Sequence, residues 1–136
     1  MAAEPYINHG DPLYWFELVD TELSKARLTL RTGRYFLLGL SCQQACEKVL
    51  SGWFVRSHPM HELPVGLKLP EQAAAMGLWD GFSAEQRELL SRLQGFKSGS
   101  QSEADKQRLQ ESLDDAEAAE LLSQAEEFVE YIRGSI

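Results

Sequence analysis

Four polar side chains stand within six residues of one another: Gln43, Gln44, Glu47 and Lys48. Gln43 and Glu47 are spaced i,i+4, and so are Gln44 and Lys48. On a helix each pair stacks along one face, giving two short polar ladders. The set supplies two amides, a carboxylate and an ammonium, and the chemistry open to it is recognition. Lys48, with an arginine brought near, would meet a phosphate while an amide reads a base or a ribose. The competing use is structural: Gln43 and Glu47 bond to polar groups of the preceding helix and Lys48 lies along the surface.

Other residues offer chemistry at longer spacing. Arg31 and Arg34 flank Gly33, where they either complement a helix dipole or bind phosphate. His58 and His61 have the i,i+3 spacing of a metal pair, but Pro59 interrupts a regular helix there. Only Glu62 and His9 are at hand to complete the set, so no metal is expected. The structural reading has His61 capping or bonding the turn into the next helix. Arg56 and His61 are separated by four residues. Cys42 and Cys46 sit one helical turn apart, where parallel side chains rarely reach disulfide geometry. They read as small core hydrophobes in a reducing compartment.

The element that must position the quartet runs from Arg34 to Phe54. Tyr35, Leu38, Cys42, Cys46, Val49 and Trp53 form one row at steps of three or four. Phe36, Leu40, Gln43, Glu47, Leu50 and Phe54 form a second row beside it. Two adjacent rows make a face too wide for a surface helix, so this helix is predicted to be central in a bundle. Its polar groups then lie among apolar neighbours and must find partners.

Before it, Asp11-Pro12 opens a helix reaching about Thr32, with Phe16, Val19, Leu23, Ala26 and Leu30 as its seam. Gly33 ends that helix, and the short connection makes the two helices antiparallel neighbours. After it come a helix over Leu67 to Met76 closed by Gly77, and another opened by Ser83 with Gln86 in a capping box. Residues 97–105, small and polar, read as a flexible loop. Lys106 to Leu113 is a separate short helix or an early start to the next. An acidic helix from Asp114 or Asp115 to Arg133 closes the chain, in the charge order its dipole favours. No stretch alternates as a strand would. The fold expected is all-α, an up-and-down bundle of four main helices plus a short extra one.

With 136 residues, 43% apolar and 25% charged, the chain is sized and composed for one soluble domain over 1–136, with residues 1–10 as a loose leader. Its net charge of −8 argues against the broad basic footprint that extended duplex nucleic acid requires, while leaving room for a pocket of two or three cations. No apolar run approaches the roughly 20 residues of a membrane span. The opening MAAEPYINHGDP lacks the basic and apolar segments of a signal peptide. A cytoplasmic location is expected. Trp15, Trp53 and Trp79 read as core or interface residues, with Trp53 and Phe54 the expected subunit contact.

In order, these features resemble the HEPN family, small helical bundles named for higher eukaryotes and prokaryotes nucleotide-binding. The likeness rests on Trp15 and Ala26 before Gly33-Arg34-Tyr35, on Gln43-Gln44-Ala45-Cys46-Glu47-Lys48, which is similar to the family's QQAxEK helix, and on His61-Glu62-Leu63. It covers about residues 12 to 134. The resemblance implies a homodimer and a frequent neighbour, a small nucleotidyltransferase, in a toxin–antitoxin-like pair. It also implies a nucleotide or polar pocket using Gln43, Gln44, Glu47, Lys48, Arg34 and His61, with no cofactor. Many relatives carry Arg-Tyr-Pro before the last helix, and ribonuclease members carry Arg and His four to six residues apart there. In this chain that region offers Lys106 and Arg108 but no histidine, since none follows His61. RNA cleavage needs a group to take the 2′-hydroxyl proton and a cation for the phosphate. The expectation is therefore a non-catalytic module, with an RNA-binding or RNA-cleaving toxin acting in a dimer groove as the alternative.

Overall fold

The computed structural model describes residues 10–135, excluding the side chain of Ser135. Residues 1–9, including His9 and most of the expected leader, lie outside the described residues. Helices α1 (Pro12–Arg31), α2 (Tyr35–Ser57), α4 (Ala84–Ser98) and α6 (Asp115–Ser135) are the long ones. Two short helices, α3 (Leu69–Ala75) and α5 (Glu103–Glu111), and a 3-10 turn at Trp79–Gly81 complete the described residues, which contain no strand. The architecture is thus all-α, with two short helices where one was expected.

Local sequence explains most boundaries. The Asp11 carboxylate accepts from the Leu13 amide at 3.0 Å and Pro12 takes the first turn of α1. At its other end Gly33 adopts φ +72°. There Arg34 N–H donates to Thr29 O and Gly33 N–H to Leu30 O, the pairing that satisfies a helix's last carbonyls once a residue turns left-handed. Gly77 closes α3 the same way, with Leu78 N–H on Ala73 O and Gly77 N–H on Ala74 O. Ser83 and Gln86 cap α4 reciprocally at 3.1 and 2.9 Å. The stretch expected as loop over 97–105 is mostly helical: α4 runs through Ser98 and α5 starts at Glu103, because Ser102 caps the Asp105 amide at 3.1 Å.

Helix α2 is the axis of the molecule. Leu38, Cys42, Ala45, Cys46, Val49 and Leu50 are fully enclosed, and α2 packs against α1, α3, α4, α5 and α6. Trp53 and Phe54, expected at a subunit contact, are 5% and 7% exposed and belong to the chain's own core. Burying two such aromatics internally leaves little of them for a partner.

Candidate functional site

Of the quartet on α2, Gln43 faces inward while Gln44, Glu47 and Lys48 are partly exposed, and its partners on other helices lie on α4 rather than on α1 as expected. Gln43 is fully buried. Its amide donates to Gln94 Oε1 at 3.4 Å, and its own Oε1 accepts from Gln44 Nε2 at 2.6 Å. Lys48 Nζ donates to Gln44 Oε1 at 3.0 Å. Gln94 Oε1 also accepts the Leu69 amide at 2.8 Å, holding the first turn of α3. A chain of side-chain bonds therefore runs from the buried centre of α2 out to the Lys48 ammonium. Each amide in it is committed as both donor and acceptor, so its orientation is fixed.

At the outer end the charges do not balance. Glu47 lies 3.4 Å from Lys48 Nζ and 3.5 Å from Lys97 Nζ. Two ammoniums share one carboxylate, leaving an excess positive charge in a molecule of net charge −8. Glu47 and Lys48 keep about a fifth of their side-chain surface, so the charges are partly shielded from water but reachable.

Both residues open into a cleft of about 200 Å³. Trp15 of α1 forms one wall and the irregular connection at residues 63–67 another, with Ser51 and the α3 residue Gln72 at the base. Gln72 is 4% exposed. Its Nε2 donates to Glu47 O at 3.1 Å, while its Oε1, among the described residues, is enclosed without a hydrogen-bond partner. An unmet buried carbonyl costs about 1–3 kcal/mol. The volume falls below the several hundred Å³ of a drug-sized pocket; it admits one ring or one phosphate, with the remainder of a ligand outside.

The other expected site residues do not converge here. Arg34 is exposed at the start of α2, roughly 20 Å from Lys48 along the helix at ~1.5 Å per residue. His61 is exposed on the connection and lines a separate depression with Gly10, Val55, His58, Pro59 and Leu63. It does not cap α3, which begins only after Lys68, whose amide is held by Glu71 Oε1 at 3.1 Å, but it does bond the turn, its own amide donating to His58 O at 3.0 Å. Arg56, with four residues between it and His61, points elsewhere: its guanidinium donates to the Arg133 carbonyl at 3.4 Å and lies over the Phe16 ring. The cleft also takes in Ser51 and Gln72, which the sequence reading does not single out, and Trp15, which it reads as core or interface. Ser51 extends the Gln43–Glu47 ladder by one i,i+4 step and was findable; Gln72 and Trp15 carry no such signal.

Burial pushes the Cys42 thiol from 9.0 up to about 12, helped by the nearby Glu126 charge, and raises Cys46 well above its ordinary value. Both are free and buried, so neither is a thiolate nucleophile at neutral pH.

These features define a helical bundle whose central helix carries a bonded polar chain to a small cleft lined by Glu47 and Lys48. The HEPN domain family matches residues 13–135, and the chain belongs to that family. No curated protein and no solved structure matches it significantly. Among the described residues, no helix is long and apolar enough to cross a membrane.

Proposed function

We propose that this HEPN chain is a non-catalytic homodimeric module that binds a nucleotide, partnering a nucleotidyltransferase in a toxin–antitoxin-like pair. The observation that carries the nucleotide reading is the charge count around Glu47: Lys48, which lines the cleft, and Lys97, outside its lining, share that one carboxylate. A phosphate placed at Lys48 completes that balance, and the Trp15 wall offers an aromatic surface to a base. The groove between α4 and α6, at about 390 Å³, is larger but is rimmed by Glu85, Glu120 and Glu127, which repel phosphate. The non-catalytic reading is supported by the separation of Arg56 from His61 in orientation and by the missing histidine after His61. The partner reading rests on family resemblance.

Retention of labelled ATP and survival of labelled RNA, measured side by side, test this. The wild-type protein should retain ATP and leave RNA intact. Lys48→Ala should weaken ATP binding by about tenfold, the equivalent of ~1.4 kcal/mol. RNA cleavage abolished by His61→Ala would replace this reading with the toxin, and absence of ATP retention would overturn it.

A further inference from the structure

Helix α2 is covered on most sides, but one sector stays open beside α1. A groove of about 340 Å³ runs there, lined by Leu28 and Thr29 of α1 and by Leu37, Leu40, Ser41 and Gln44 of α2, with Glu22 and Lys25 at its edge. Leu28 is 51% exposed and Leu37 41% exposed. Two leucines left in water in one groove represent about 1–2 kcal/mol of unused burial each. We infer that this α1–α2 groove is the seam across which two copies of the chain pair, related by a two-fold axis. The inference rests on the homodimer reading above and names the surface.

Charge selects the occupant. Each copy carries −8, and the exposed faces of α4 and α6 are studded with Glu85, Glu88, Glu117, Glu120, Glu127 and Glu130. Two such faces would repel on approach. The groove's charged residues are one of each sign, Glu22 and Lys25, 3.6 Å apart and one turn from each other. Under a two-fold axis with the α1 helices antiparallel, each carboxylate is brought to the ammonium of the partner copy, so the edge is complementary to itself. A uniformly basic or acidic partner would meet half of it unfavourably.

Two of the groove's uncharged polar side chains, Thr29 and Gln44, already have hydrogen-bond partners, and Ser41, 8% exposed, has little water left to lose. The Thr29 hydroxyl already donates within α1, to Lys25 O at 3.0 Å and Ala26 O at 2.9 Å. The Gln44 amide is bonded at both ends, to Gln43 and Lys48. Desolvation therefore takes little from its apolar gain.

Sedimentation equilibrium of the full chain tests the seam. The wild-type protein should be a dimer. Leu28→Glu with Leu37→Glu should raise its dissociation constant by at least about tenfold, whereas Leu13→Glu, an exposed leucine outside the groove, should not. If the double variant loses its helical circular dichroism, the charge pair decides instead. Lys25→Glu should loosen the dimer, and Glu22→Lys combined with Lys25→Glu should restore it. A wild-type dimer that neither set of variants disturbs overturns the seam and leaves the homodimer standing. A monomeric wild type overturns both, without touching the ATP result.

Discussion

At the scale of single residues, the bonded amides decide whether the polar quartet is an asset or a liability to the fold. Gln94 holds Gln43 and the Leu69 amide at once. Gln94→Ala should therefore lower stability by about 1–3 kcal/mol, since two enclosed donors lose their acceptor. In thermal melts that is on the order of 4 °C per kcal/mol. Glu103→Ala, removing an exposed i,i+3 pair with Lys106, should change it by less than about 0.5 kcal/mol. The thiols supply a second check. With Cys42 raised from 9.0 to about 12, the native state holds a proton that the unfolded chain releases near pH 9. Stability should be unaffected by Cys42 below about pH 8 and should fall as pH rises from 9 toward 12. A thiol reagent at pH 8 should leave both cysteines unlabelled until denaturant is added.

At the scale of elements, glycines set how closely α2 meets its neighbours. A Cβ on Gly39 would run into the Phe96 ring of α4, and one on Gly52 into the Phe16 ring of α1. Alanine in a helix interior is favoured over glycine by about 1 kcal/mol, but overpacking a filled core costs about 1–3 kcal/mol. The second effect wins where the neighbour is an enclosed ring. Gly39→Ala should destabilise the protein, while Gly95→Ala on α4, whose Cβ meets nothing within 4 Å, should stabilise it by up to about 1 kcal/mol. Urea titration of the two variants should show midpoints shifted in opposite directions. The joint between α1 and α2 depends on a distant residue: Gln110 of α5 donates to Gly33 O at 2.7 Å and accepts the Phe36 amide at 2.9 Å. Gly33 announced that joint in the sequence; Gln110 did not.

At the scale of the whole molecule, net charge and apolar surface are distributed unevenly. Acidic side chains crowd the outer faces of α4 and α6, and the groove beside α1 is close to neutral. If two copies pair there, folding is linked to association. The thermal midpoint of the wild type should then rise with protein concentration, and that of the Leu28→Glu, Leu37→Glu variant should not. Added salt should act weakly on this dependence, because the seam is mainly apolar and its ion pairs are at the edge.

The sequence alone determined the four long helices, the caps of α1 and α4, the centrality of α2 and the family. Each of these is written locally, in residue spacing and in the few side chains able to close a helix end. Periodicity also placed Gln43 in the core, yet it could not say what stands opposite. That Gln43 meets Gln94, fifty-one positions along the chain, is decided by the packing of α4 on α2. The tertiary arrangement likewise places His61 in a separate depression and brings Trp15 and Gln72 to the cleft, whereas the distance from Arg34 to Lys48 is set by the rise of α2 itself. A repeat of 3.6 residues fixes which face of a helix is buried, and only the tertiary arrangement fixes which other face it meets.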